Sequence, residues 1–288
     1  MVTKIIVEVL VITLVAVMLI SLAAFWRSVK PPKWPVTNSP ADFGMAYEPV
    51  QFQSSDDITL SGWWVPATND SDKTIVMMHG YPAAKSDILP LGVFLHSDFN
   101  ILFFDFRYMG ESQGKYTTAG ALEVNDLLGA LQFLQNKKAE QSQKIGLWGF
   151  SLGGAVGLMS LDKTNAVQAV VADSSYATLH DMIEHLYSRY GILKTPFVIG
   201  TKVWTRLILG IKISDIAPEE SVKKTNTPIM LIHGTADKEI AVQNSQRIYE
   251  NIKGSRELWL VEGAEHGQAY FKAQSEYERR VIDFFNKM

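Results

Sequence analysis

Gly149-Phe150-Ser151-Leu152-Gly153 lies at the junction of two segments of different character. Residues 144–149 form a short apolar run with the length of a buried strand. Residues 152–161 are mostly glycine, alanine and aliphatic side chains, as in a tightly packed helix. A serine at that junction sits on a sharp turn, its hydroxyl held above the sheet and the next residue's N–H aimed at the same point. The flanking glycines fit because a side chain at either place would collide with the neighbouring strand or helix. This is the G-x-S-x-G nucleophile elbow, and the strand–turn–helix setting makes Ser151 the candidate nucleophile.

A hydroxyl is almost never ionised at neutral pH, so a nucleophilic serine needs a base, and the base needs a carboxylate to fix its tautomer. After an elbow these partners follow in the order Ser, Asp or Glu, His. Residues 228–234 read as a strand leading into a loop that carries Asp237. Residues 257–261 read as another, leading into the glycine-bounded loop that carries His266. Both side chains then fall just past the carboxyl ends of strands, on the edge where ligands gather in open α/β sheets. Asp173, at the end of the strand 167–172, competes for the role of the acid. Asp237 is preferred because it follows the next strand. His79 and His233 each end an apolar run and precede glycine, which suits packing or loop shaping. His96, His180 and His185 have no strand-end setting.

Charge that develops on a carbonyl oxygen calls for two donors. One is the Leu152 N–H. The other is expected from the loop 79–84 that follows the strand 74–78. Tyr81 is its natural backbone donor, because Pro82 has no N–H.

With these residues in place the chain resembles the serine hydrolases of the α/β-hydrolase superfamily, close to the serine aminopeptidase-like and dipeptidyl-aminopeptidase/acylaminoacyl-peptidase-like group. His79-Gly80 resembles the oxyanion loop of that family. Asp105-Phe106-Arg107-Tyr108-Met109-Gly110-Glu111-Ser112 resembles its D-x-R-G-x-G-x-S turn, and residues 149–154 resemble its elbow. Tyr108 stands where the family often has glycine, and Ala83 where its loop often has another. The resemblance runs from about residue 50 to the C-terminus. It implies an α/β-hydrolase fold, a mostly parallel central sheet flanked by helices, and esterase, thioesterase or peptidase chemistry without naming a substrate.

The rest of the chain agrees with that architecture. Its 288 residues fit one larger α/β domain with an appendage. Residues 50–53 and 58–65 alternate as an antiparallel hairpin would. Helices are expected at about 119–136, 240–251 and 274–286, with strands between them. A net charge of −3, with no basic tail, speaks against general nucleic-acid binding. With no cysteine there is no disulfide framework or thiol nucleophile. The expected chemistry calls for no metal or organic cofactor, and the oligomeric state is left open.

Two regions lie outside the α/β alternation. Residues 5–24 are apolar except for Glu8, Thr13 and Ser21, long enough to cross a hydrocarbon core of about 30 Å. We read residues 1–26 as an uncleaved membrane anchor and 27–42 as a proline-rich linker. A cleaved signal peptide is the rival, given the small residues at 21–23. Arg27, Lys30 and Lys33 against Lys4 favour a cytoplasmic catalytic domain, whereas an export signal would place it outside, so the side stays open. The second region, about 176–225, has no convincing strand and reads as a helical cap over the site within a domain spanning 43–288. Tyr176, Tyr187 and Trp204 are its candidate substrate-binding aromatics. Arg189, Lys194, Lys202, Arg206 and Lys212 lack an intervening acid, which suits a solvated helix face or one resting on anionic headgroups. The expected activity is hydrolysis of carboxylic esters or thioesters of small or lipid-like apolar acyl substrates. Serine peptidase is the second expectation, with Asp181 and Glu184 as holders of a free amine. A tethered binding module without chemistry is the third.

Overall fold

Apolar runs separated by polar turns build one eight-stranded sheet in the computed structural model, which describes residues 1–288. The strands are β1 (Glu48–Gln53), β2 (Thr59–Val65), β3 (Lys73–Met78), β4 (Asn100–Phe104), β5 (Lys144–Phe150), β6 (Val167–Asp173), β7 (Ile229–Gly234) and β8 (Arg256–Val261). Their spatial order is β1-β2-β4-β3-β5-β6-β7-β8. The pairs β1–β2 and β2–β4 are antiparallel and all the others parallel. Parallel strands need crossovers, here mostly helices, and these cover both faces with separate apolar layers. The fold is that of an α/β-hydrolase.

The helices are α1 (Val2–Val29), α2 (Glu123–Lys137), α3 (Leu152–Ser160), α4 (Leu179–Tyr187), α5 (Lys194–Leu209), the single turn α6 (Pro218–Ser221), α7 (Gln243–Asn251), the single turn α8 (Ala269–Lys272) and α9 (Gln274–Asn286). Among the boundaries that differ from the sequence expectation, two bear on the surroundings of the site. α2 starts at Glu123 rather than near 119, because the buried Glu123 carboxylate accepts the Thr118 and Gly120 amides and the Thr117 and Thr118 hydroxyls. Those bonds wrap 117–122 into a turn, with Ala119 at φ +52°. α1 runs to Val29, three residues into the expected linker.

Gly149 and Gly153 allow β5 to pass directly into α3. A Cβ at Gly149 would stand 2.3 Å from the Gly153 carbonyl carbon, and one at Gly153 2.3 Å from Met78 O on β3. Ser151 between them has φ +51°, a conformation rare for a side-chain-bearing residue, of the kind that clusters at active sites.

Candidate active site

The turn after β5 aims Ser151 into a mostly apolar cavity that is also lined by His266, Tyr81 and Leu152. The Ser151 N–H donates to Asp173 O at 2.8 Å, which fixes the elbow against the end of β6. Its hydroxyl makes no hydrogen bond within the chain. Nucleophile–base contacts are often long without substrate and tighten when it binds.

Asp237 and His266 arrive on the loops after β7 and β8. His266 Nδ1 lies 2.7 Å from Asp237 Oδ2. Oδ1 of the same carboxylate accepts the Glu239 and Ile240 amides at 2.9 Å each. Burial opposes ionisation of Asp237, but hydrogen bonds from His233, His266 and the Ile240 amide outweigh it and hold the carboxyl below its usual range. Burial likewise disfavours the imidazolium of His266, and the bond and charge of Asp237 overcome this, raising its pKa. An ionised Asp237 accepts a hydrogen bond from Nδ1–H, leaving Nε2 of neutral His266 free to act as a base. Phe150, inside the elbow motif, packs its ring 4.9 Å from the imidazole, centre to centre.

His233 has a part that the sequence did not reveal. Its Nε2 lies 2.8 Å from Ile240 O and 3.3 Å from Asp237 Oδ2, and Nδ1 lies 2.6 Å from the Ser245 hydroxyl. Nε2–H is therefore the donor, shared between the Ile240 carbonyl and the acid. The only sequence signal was its place four residues before Asp237. Asp173, the competing acid, is buried behind the elbow. Burial raises its pKa, and it accepts the Ser174 and Tyr277 hydroxyls rather than a histidine.

On the other side of Ser151, the amides of Tyr81 and Leu152 have no partner within the chain, and Leu152 opens α3, where the helix dipole favours negative charge. Buried His79 accepts the Phe106 amide through Nε2 at 3.0 Å, so its Nδ1–H donates to Gly80 O at 2.7 Å. The turn at 105–112 thus reaches the loop before Tyr81. Tyr108 in that turn takes φ +68°, which explains why a glycine suits the position, and its hydroxyl donates to Pro31 O.

Of the three aromatics expected to meet substrate, Tyr176 and Tyr187 line the cavity. Tyr176 OH donates to Ala119 O at 2.7 Å, and Tyr187 bonds the Thr201 hydroxyl at 3.1 Å. Trp204 does not line it. Its Nε1 donates to Ser21 Oγ of α1 at 3.0 Å, because that face of α5 is turned towards the N-terminal helix. Instead the cavity takes Phe25, Ser28 and Val29 from α1, residues that sequence reasoning placed in an anchor and linker. The free space is about 180 Å³. Asp181 and Glu184 lie outside it, paired with Arg247 and Lys194. Glu184 thereby supplies the acid partner that the basic run 189–212 lacks in sequence. No cluster of three or more His, Cys, Asp or Glu side chains is arranged to hold a metal ion.

Fold and site together define a hydrolase of the α/β-hydrolase class. The sequence profile of the prolyl oligopeptidase family matches residues 111–288, and the chain belongs to that family. Among solved structures, an esterase from Pyrococcus furiosus superposes with a TM-score of 0.76 at 30% identity, covering 90% of this chain and 98% of that one. An acylaminoacyl peptidase from Pyrococcus horikoshii shares the fold at 17% identity and TM-score 0.65, covering 87% of this chain and 44% of its own. Among curated proteins, YqkD of Bacillus subtilis is 27% identical over 233 residues, 80% of this chain and 76% of that one. YfhR of Escherichia coli strain K12 is 28% identical over 245 residues, 82% of this chain and 80% of that one. At the N-terminus, α1 is long and apolar enough to cross a membrane, with a mean hydropathy of 2.9 over its most apolar window.

Proposed function

We propose that the chain is a membrane-anchored serine hydrolase that cleaves carboxylic ester or thioester bonds of apolar acyl substrates. The observation that carries this reading is the Asp237–His266 pair at 2.7 Å, opening on the same apolar cavity as Ser151. In the proposed reaction Ser151 Oγ attacks the acyl carbon as His266 Nε2 takes its proton, and Asp237 stabilises the imidazolium. The oxyanion accepts the Tyr81 and Leu152 N–H groups. Collapse breaks the bond to the leaving alcohol or thiol, which takes the proton from His266. Water then attacks the acyl-enzyme with His266 as base and releases the acid. The esterase likeness supports the ester reading, as does the apolar lining.

A peptidase is the second reading, favoured by the family and by Glu239, a carboxylate on the cavity wall that a substrate ammonium could meet. The test uses the full chain in detergent, with fluorophosphonate labelling and a series of p-nitrophenyl esters set against aminoacyl p-nitroanilides. Labelling and ester turnover that disappear together in Ser151→Ala support the ester reading. Turnover of the anilides alone would replace it with the peptidase. Absence of labelling and of all turnover in the folded wild type would remove both.

A further inference from the structure

Where the substrate comes from is written in the packing of α1, given the membrane-anchored ester hydrolase just described. Val17, Ser21, Phe25 and Val29 recur every fourth residue and so share one helix face, and all four are buried. That face lies on α5. Ser21 Oγ accepts the Trp204 indole N–H, and a Cβ on Gly200 would come 2.3 Å from the same oxygen. Beyond it, the Tyr81 hydroxyl donates to Ser28 O at 2.7 Å and the Thr117 amide to Val29 O at 2.9 Å. α1 is therefore a wall of the catalytic cavity as well as a stalk.

Helix geometry sets the depth. With residues 5–24 in hydrocarbon and a rise of 1.5 Å per residue, Ser21 lies about 4.5 Å inside the boundary and Val29 about 7.5 Å beyond it. The cavity wall made by Phe25 and Val29 thus begins at the boundary, and α5, bound to Ser21, reaches the hydrocarbon side of it. The neighbouring surface is apolar and uncovered. Tyr190, Ile192, Leu193 and Ile199 are exposed, Ile192 to 95%, and Leu186 is both exposed and part of the cavity lining. Exposed Arg189 lies 6.0 Å from the Tyr190 ring centre, and Lys202 and Arg206 are exposed further along α5. An apolar rim beside a membrane helix, with cations at its margin, matches an anionic leaflet.

We propose that this rim of the cap dips into the leaflet that holds α1, and that the substrate is an acyl ester resident in that leaflet. Its chain passes from lipid past Leu186 onto Phe25 and Val29 without crossing water. The small cavity agrees, since only the part of the chain nearest the carbonyl needs to leave the bilayer.

The experiment reconstitutes the full chain in vesicles of phosphatidylcholine and phosphatidylglycerol. It compares water-soluble p-nitrophenyl butyrate with vesicle-embedded p-nitrophenyl palmitate, for wild type and for Ile192→Glu/Ile199→Glu. Two carboxylates placed in the leaflet are expected to lower palmitate turnover by about tenfold or more and leave butyrate turnover within about twofold. Unchanged palmitate turnover, or a parallel fall with both substrates, overturns the inference. A wild type that hydrolyses butyrate but not embedded palmitate overturns it too and leaves the hydrolase reading standing. A wild type that hydrolyses neither overturns both.

Discussion

Asp237→Asn isolates the tautomer control on which the proposed chemistry depends. Oδ1 of Asp237 accepts two backbone amides, from Glu239 and Ile240. An asparagine must keep its carbonyl oxygen there, because an NH₂ facing two N–H donors would lose both bonds. Its Nδ2 then takes the place of Oδ2, facing His266 Nδ1 at 2.7 Å and His233 Nε2 at 3.3 Å. Two donors cannot share that contact, so His266 moves its proton to Nε2 and presents N–H instead of a lone pair to Ser151. His233 retains the Ile240 carbonyl as acceptor, so the loop survives. The loss falls on the chemistry. Where the equivalent substitution leaves geometry intact, kcat drops on the order of 10⁴-fold, about 5.5 kcal/mol of transition-state stabilisation. Removing the anion also lowers the His266 pKa towards that of a free imidazole. Stopped assays on a p-nitrophenyl ester, with kcat/KM followed against pH, measure both effects, and thermal unfolding checks the fold. A loss smaller than about tenfold in a variant with wild-type Tm would refute the assignment of Asp237.

Other consequences can be measured on the same protein. In the wild type, kcat/KM is expected to fall on acidification through a pKa above the 6.5 of a free imidazole, since protonated His266 cannot accept the Ser151 proton; a limb centred below that value would contradict the pairing with Asp237. Gly153→Ala places a Cβ 2.3 Å from Met78 O, and a Tm lower by about 2–6 °C is expected for overpacking of this kind, read by calorimetry. Phe25→Ala opens the cavity on the α1 side. The preferred acyl chain should lengthen, each newly buried methylene adding about 0.8 kcal/mol, or about fourfold in kcat/KM across an ester series. Lys202→Glu/Arg206→Glu should abolish any stimulation of the reconstituted enzyme by phosphatidylglycerol over phosphatidylcholine, because each basic residue near an anionic surface contributes about 1 kcal/mol.

What the sequence revealed follows from how locally each feature is determined. The elbow is spelled by five adjacent residues whose steric demands are met within β5, α3 and β3, so the strand, the turn and the helix were all legible. The pairing of Asp237 with His266 was legible because each follows an apolar run, and in a parallel sheet the carboxyl ends of such runs share one edge. His233 was assigned packing or loop shaping, which its burial and its bond to Ile240 O match, but its contact with Asp237 was not seen. Its contact with the acid depends on how the loop from 234 to 240 folds back, which no pattern of residues announces. The start of α2 was misplaced because Glu123 caps a turn through a carboxylate, competing with the helical reading of an alanine-rich segment. Trp204 was given to the cavity because aromatics at helical spacing look alike whichever way a helix is rolled. Its orientation is set by α1, nearly two hundred residues away in sequence.

That same contact bears on whether the N-terminal segment is retained. Cleavage after the small residues at 21–23 would remove Val17 and Ser21, leaving the Trp204 indole N–H without its acceptor and uncovering the tight approach at Gly200. The α5 face that α1 now covers, Trp204 included, would be exposed to water, and apolar surface so exposed costs about 25 cal/mol per Å². Phe25, only 2% exposed, would become part of a fraying terminus. A retained helix accounts for a serine matched to a tryptophan on a cap helix and for a buried stripe that ends in the cavity lined by Ser151 and His266. In a bilayer the serine is also well suited to its place, because its hydroxyl donates back to Met18 O while accepting from Trp204, so neither group meets lipid unpaired. Ser21, one of the few polar interruptions of the apolar run, is the point at which α1 is bonded to the cap helix α5.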